Sequence, residues 1–197
     1  MSRRLDVDLF VEDSAHEHFL RGLVLRLSED EAKCIAVHVR CATGGHGRVL
    51  KELKTWLKLF ERGAVPAPEL IVAALDANCS QFHSKRREIL DTVPPELRSR
   101  VVAACPDPHV ERWYMADEAS FHRVVGSAPS IKKEKCERDY YKNALAHAVR
   151  MAGHPPALGG VEFARELAEQ IDLYRASKAD ASLGAFLDDF RAALRRS

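Results

Sequence analysis

The sequence predicts an α/β protein with a βαβαβαβ core built on a mostly parallel sheet. Short apolar runs alternate with segments of helical hydrophobic spacing over the first half of the chain, and no strand signal follows Pro108. Alternation of this kind, with right-handed crossovers, places helices on both faces of the sheet. The chain has 197 residues, of which 46% are hydrophobic and 30% charged, so a packed core is expected and a wholly disordered chain is excluded.

The first strand-turn-helix unit covers the amino-terminal residues. Residues 6–11 alternate in polarity and then become continuously apolar, which predicts a strand that ends at Glu12. Ser14 is the expected N-cap of the next helix, with Glu17 at the capping-box position. The helix is predicted from an apolar stripe that consists of Ala15, Phe19, Leu23, Val24 and Leu27.

Three further strands complete the predicted core. Residues 35–39 form a β-rich run, and after a glycine-rich turn the residues up to Phe60 have helical spacing. Residues 70–75 are nearly all apolar, as in a central strand covered on both faces. A basic helix over residues 80–91 and a short strand over residues 101–105 follow.

The carboxyl-terminal third of the chain is predicted to be helical. We expect residues 1–128 to form the core and residues 129–197 to form a helical extension that packs on it as a cap. The extension is predicted to hold three helices, which cover residues 133–151, 161–174 and 183–195.

Charge and cysteine content limit the classes of function. Thirty basic and 29 acidic residues give a formal charge of +1, so any contact with nucleic acid must be local. The longest apolar runs are far shorter than a membrane span, and the first residues lack the apolar stretch of a signal peptide, so we expect a cytoplasmic protein without membrane contact. Five cysteines without a CxxC pair predict neither a disulfide framework nor a zinc ribbon. Nine histidines are scattered, and none is assigned a ligand role.

Several oxygen-bearing side chains follow the predicted strands. Glu12 follows the first strand, Asp76 and Asn78 follow the third, and Asp107 and Glu111 follow the fourth. Ligands of open parallel sheets bind at the carboxyl ends of the strands. Clustered carboxylates are costly unless a cation neutralises them, and oxygen donors suit Mg²⁺ or Mn²⁺. Each residue taken singly also has a structural explanation, as a helix cap or a first-turn acid.

Four segments together resemble the Toprim fold shared by topoisomerases, primases, recombination proteins and overcoming-lysogenization-defect nucleases. Leu9-Phe-Val-Glu12 before a helix and Ala74-Leu-Asp-Ala-Asn78 after a central strand look like its paired acidic motifs. Thr43-Gly-Gly-His-Gly47 and Pro106-Asp-Pro-His-Val-Glu-Arg-Trp113 are similar to segments of defence-associated and uncharacterised Toprim-like families. The resemblance covers about residues 5–115.

The resemblance implies roles for individual residues. Glu12, Asp76 and Glu111 would be the catalytic set, and these three with Asn78 would hold the metal, Mg²⁺ or Mn²⁺. Two positions depart from the family pattern: Asp13 replaces the usual glycine, and Asn78 replaces the second aspartate of the Asp-x-Asp pair. An amide offers an oxygen but no charge, which lowers the expected affinity for metal.

The glycine-rich turn has two interpretations. Gly44, Gly45 and Gly47 precede a helix, so backbone N–H groups there could approach a phosphate, and His46 in the same turn is a further candidate for phosphate binding. The alternative is a plain tight turn, since the segment matches neither a P-loop nor a dinucleotide fingerprint. A third hypothesis for the whole protein is a doubly wound domain that binds a small phosphorylated ligand here.

Two basic clusters are candidates for contacts with a phosphate backbone. Lys85, Arg86 and Arg87 follow Asn78 closely, and a second cluster lies between Lys132 and Lys142. Such contacts supply affinity without sequence specificity, although most charge runs are solvated helix faces.

The resulting expectation is a Mg²⁺-dependent Toprim-like nuclease that cleaves DNA or RNA, as the effector of an antiviral defence system with an ATPase partner. The alternative is a catalytically degenerate Toprim-like module that binds or regulates, docked to an ATPase. Retained affinity for a divalent metal separates the two.

Overall fold

The structure is an α/β fold around one four-stranded parallel sheet. It is a computed structural model that describes residues 4–41, 46–132, 137 and 139–197. The strands are β1 (Leu5–Val11), β2 (Ile35–Cys41), β3 (Leu70–Ala74) and β4 (Val101–Ala104), in the order β2-β1-β3-β4. The predicted α/β class and parallel sheet are therefore confirmed.

Each face of the sheet is covered by helices. The helices α2 (His46–Glu61) and α3 (Phe82–Thr92) lie on one face, where Phe10, Ile71 and Ala73 contact the apolar side of α2. The opposite face carries α1 (Ser14–Asp30) and the carboxyl-terminal helices, which share one buried cluster with Leu9 and Val72. Successive side chains of β1 and β3 thus pack into two separate hydrophobic cores, because side chains alternate between the two faces of a strand.

The chain after β4 contains more helices than the sequence predicted. It forms α4 (Val110–Tyr114), α5 (Glu118–Val125), α6 (Tyr140–Met151), α7 (Ala164–Gln170), α8 (Leu173–Ala179) and α9 (Ala181–Arg196). Short helices such as α4 and α5 give too few turns for a periodic signal. The single helix expected over residues 161–174 is wrong, because Asp172 caps a new helix by accepting a hydrogen bond from the Arg175 N–H at 2.9 Å.

The start of α9 is joined to the loop between β4 and α4. The Ser182 hydroxyl accepts hydrogen bonds from the Asp107 N–H at 3.1 Å and from the Trp113 indole N–H at 2.9 Å. Arg112 donates to the Asp180 carboxylate at 2.7 Å, and both Asp180 and Ser182 are buried. The carboxyl-terminal helices therefore pack directly on the element that carries Glu111.

Within the part of the chain that the structure describes, no helix combines the length and the apolar character that a bilayer span needs.

Candidate metal site at the carboxyl edge of the sheet

Glu12 and Asp76 come together because β1 and β3 are neighbours in the sheet. Phe10 pairs with Ala73, so the two parallel strands end side by side at the same edge of the sheet. His16 joins them from α1, and one ligand atom from each of the three side chains lies within 4.8 Å of the others. The arrangement is a set of two carboxylates and one imidazole at the edge of the sheet where ligands of parallel folds bind.

The first turn of α1 places His16 over the end of β1. The N-cap of this helix is Asp13, whose carboxylate accepts a hydrogen bond from the His16 N–H at 3.0 Å, so the predicted cap at Ser14 is wrong. The same carboxylate oxygen lies 2.8 Å from Nδ1 of His16. The Tyr114 hydroxyl donates to the Ala15 carbonyl at 2.6 Å and fastens the helix start to α4.

Asp76 is held from three directions. Its Oδ1 lies 3.0 Å from Nε2 of His16 and accepts a hydrogen bond from the Val110 N–H at 3.0 Å. Its Oδ2 lies 3.0 Å from Nδ1 of His109. The side chain is buried, so these contacts fix its orientation.

The contacts with Asp13 and Asp76 favour the charged form of His16. Burial alone lowers the pKa of His16, but the charge of Asp76 and the hydrogen bond to Asp13 outweigh it, so that the pKa lies well above its ordinary value. Burial raises the pKa of Asp76, yet His16 and His109 lower it further, and the net pKa is below its ordinary value. For Asp13, the contacts with His16 overcome burial and bring the pKa to about 2. These shifts favour an imidazolium between two carboxylates.

Glu111 lies beside this cluster and outside the set of three. The residue is 3% exposed, and its buried Oε2 has no hydrogen-bond partner among the described residues. Burial first, and the negative charge of Asp76 second, raise the pKa of Glu111. A buried carboxyl oxygen without a partner is uncommon in a folded protein and points to a ligand or a proton that satisfies it.

Asn78 occupies a turn two positions after Asp76 and is exposed. Its φ of 53° lies in the left-handed region, which asparagine tolerates better than most residues. The side-chain amide donates to the Asp76 carbonyl oxygen at 3.3 Å. In this conformation the amide nitrogen of Asn78 makes a hydrogen bond within the turn.

The structure describes four of the six predicted phosphate-binding residues, and two of these four form ion pairs within the protein. Gly44 and Gly45 lie outside the described residues, and His46 is the first residue of α2. Lys85 pairs with Glu88 at 2.8 Å and Arg86 pairs with Asp189 at 2.7 Å, whereas Arg87 is exposed. The first basic cluster is thus partly engaged within the protein.

One residue of the second basic cluster lies near the site. Lys133, Lys135 and Arg138 lie outside the described residues, while Lys142 is exposed on α6. Helix α6 packs on α4, with Tyr141 receiving a hydrogen bond from Arg112 at 3.3 Å. Lys142 is within electrostatic range of Asp13, His109 and Glu111. An exposed cation therefore lies near the acidic cluster.

Sequence reasoning missed His16 and His109, whereas it had included Lys142 in the second basic cluster. His16 and His18 do lie on different faces of α1, but a ligand set assembled from several elements does not need both. His16 contacts a residue 60 positions away and His109 contacts one 33 positions away. The spacing Asp13-x-x-His16 at a helix start was the one local signal available.

No family model, no curated protein and no solved structure matches the chain. The Toprim resemblance therefore stays an expectation from the sequence, and the function must be argued from the site itself.

Proposed function

We propose that the protein is a divalent-metal-dependent phosphodiesterase that acts on DNA or RNA. The observation that carries the proposal is the convergence of Glu12, His16 and Asp76 within 4.8 Å at the carboxyl edge of the sheet. Burying carboxylates together is costly, and a bound cation is a common compensation. Glu111 supports the same conclusion, because it lies near Asp76 and its buried Oε2 has no partner among the residues that the structure describes.

The residues divide into ligands and supporting groups. Glu12 and Asp76 would hold the metal, while the Val110 N–H and His109 keep the Asp76 carboxylate in place. A divalent ion bound here would polarise a phosphoryl oxygen and lower the pKa of a water molecule. Glu111, whose pKa is raised by burial and by Asp76, would hold the proton that a leaving oxygen needs.

Local cations favour a nucleic-acid substrate. Lys142 borders the acidic cluster, and the hydrogen bond to Asp76 raises the pKa of His109, which favours its charged form. Arg87 is exposed on α3, the helix that follows Asn78. The two cations that lie near the site, Lys142 and His109, suit contacts with individual phosphates of a backbone and not broad coating of DNA, in accord with the formal charge of +1.

A second candidate function is a non-catalytic Toprim-like module that binds or regulates. His16 favours it, because an imidazolium between Asp13 and Asp76 offsets one of their two negative charges without any metal. Asn78 in place of an acid favours it as well. In both versions an ATPase partner and a role in antiviral defence rest on the family resemblance alone.

The deciding experiment measures cleavage of single-stranded DNA, duplex DNA and structured RNA with Mg²⁺, Mn²⁺, Co²⁺ or Zn²⁺. We expect Glu12→Gln and Asp76→Asn to lose at least about 100-fold of the rate, as loss of a group acting at the reacting centre does. Glu166→Gln is the matched control, since it makes the same charge change at an exposed position of α7. Thermal unfolding of each variant establishes that the fold is intact.

Two results would contradict the nuclease proposal. One is cleavage that Glu12→Gln and Asp76→Asn leave unchanged, which would mark a contaminating enzyme. The other is the absence of cleavage with every ion and substrate, with an added ATPase partner where one is known, which would leave the non-catalytic module.

A further inference from the structure

We infer that the site is built for a late first-row transition ion such as Zn²⁺ or Co²⁺ in preference to Mg²⁺, because His16 contributes a nitrogen ligand. The inference rests on the metal binding in the proposed function and goes beyond it by naming the class of ion. Mg²⁺ favours oxygen ligands and retains several waters, whereas an imidazole favours zinc and its neighbours.

The geometry around His16 is that of an oriented histidine ligand. Nδ1 lies 2.8 Å from the Asp13 carboxylate, and Nε2 faces the Asp76 carboxylate at 3.0 Å. In metal sites the ligating histidine commonly uses one nitrogen for the metal while a carboxylate fixes the other. Here Asp13 would be that carboxylate, and the metal would take the place of the proton between Nε2 and Oδ1 of Asp76.

The number and type of ligands agree with this class of ion. Two carboxylates and one imidazole are three protein ligands, and three protein ligands with a remaining open position are typical of catalytic zinc sites. His16 is 1% exposed, so its ring is not available to bind ions at the protein surface. Glu111 supplies a second observation beside this set, because its buried Oε2 lacks a partner among the described residues and its carboxyl lies close enough to Asp76 for their charges to interact.

The competing explanation makes His16 a permanent internal cation. In that case His16 and a metal ion exclude each other, and removal of the imidazole should strengthen metal binding. If His16 is a ligand, its removal should weaken the binding of Zn²⁺ and Co²⁺ and have little effect on Mg²⁺. The two explanations therefore predict opposite signs for one substitution.

The experiment is calorimetric titration of the full chain with ZnCl₂, CoCl₂ or MgCl₂, without nucleic acid. We expect Co²⁺ and Zn²⁺ to bind at least about tenfold more tightly than Mg²⁺. His16→Gln should remove this preference, and Asp13→Asn should weaken Co²⁺ binding by about 10- to 100-fold, as loss of the orienting partner does. Asparagine is also a good N-cap, so Asp13→Asn preserves the start of α1 if His16→Gln does not fold.

His18→Gln is the matched control. His18 lies on the same helix as His16 but is exposed on another face, so its loss should leave the preference for Co²⁺ unchanged. The visible spectrum of bound Co²⁺ adds a second measurement. Cys41 is exposed near this edge of the sheet, so a spectrum dominated by thiolate charge transfer would assign the ion to cysteine and overturn the inference.

The remaining outcomes separate the inference from the proposed function. Mg²⁺ bound as tightly as Co²⁺, or tighter binding of Co²⁺ after His16→Gln, would overturn the inference and leave metal-dependent hydrolysis standing. Absence of binding by every ion would overturn both. Co²⁺ affinity that falls in His16→Gln and Asp13→Asn but not in His18→Gln would establish the inference even for a protein that cleaves nothing.

Discussion

Replacing Ser182 with alanine removes one oxygen atom, and we expect it to destabilise the protein strongly. The Ser182 hydroxyl accepts from the Trp113 indole N–H at 2.9 Å and from the Asp107 N–H at 3.1 Å, and it donates to Asp180. Trp113 is fully buried, so its N–H would lose its partner without gaining water. A buried donor left without a partner costs about 1–3 kcal/mol, and the partly buried Asp107 N–H adds a smaller amount.

Asp180 loses the hydrogen bond from Ser182 but keeps the one from Arg112, so it adds little to the cost. The expected loss of unfolding free energy for Ser182→Ala is therefore about 3 kcal/mol in all. For a chain of this length that corresponds to a fall of about 6–12 °C in melting temperature. Urea unfolding followed by circular dichroism measures the free energy directly. Ser177→Ala is the control, because that hydroxyl makes one exposed bond within its own helix, to the Tyr174 carbonyl. A loss below about 1 kcal/mol, equal to that of the control, would refute the reasoning.

Two further predictions concern backbone packing and pH. Gly160→Ala should cost more than Gly159→Ala in urea unfolding: both positions have positive φ, at 99° and 67°, but only at Gly160 would the new Cβ meet Leu145, at 2.6 Å. Equal losses would show that Leu145 moves aside without cost. The pKa of His16 is raised from 6.5, so its ion pairs should stabilise the protein fully below about pH 6.5 and lose effect as pH rises through the folded pKa. The pKa of Asp13 is lowered from 3.8 to about 2, so its contribution should be present above pH 3.8 and disappear as pH falls towards 2. The difference in unfolding free energy between wild type and His16→Gln should therefore shrink at alkaline pH, and parallel pH profiles would contradict it.

Hydrophobic periodicity was enough to predict the sheet and its strand-helix alternation. The all-apolar run at residues 70–75 became the central strand β3, and the acidic residue after each central strand lay at the carboxyl edge of the sheet. These features follow from local patterns, because burial on two faces leaves a continuous apolar run and parallel strands end at a common edge. Glu12 and Asp76 were found for that reason.

What the sequence determined by itself is therefore the α/β class, the parallel sheet and the two acids that end its central strands. Only the tertiary structure decided which groups surround those acids. His16 contacts Asp76 over 60 positions of sequence, and Lys142 of α6 lies within electrostatic range of Glu111. These placements depend on how α1, α4 and α6 pack on one another. Hydrophobic periodicity predicts which face of a helix is buried but not which other helix covers that face. The charge state of the cluster follows from those contacts, since burial and neighbouring charges set each pKa.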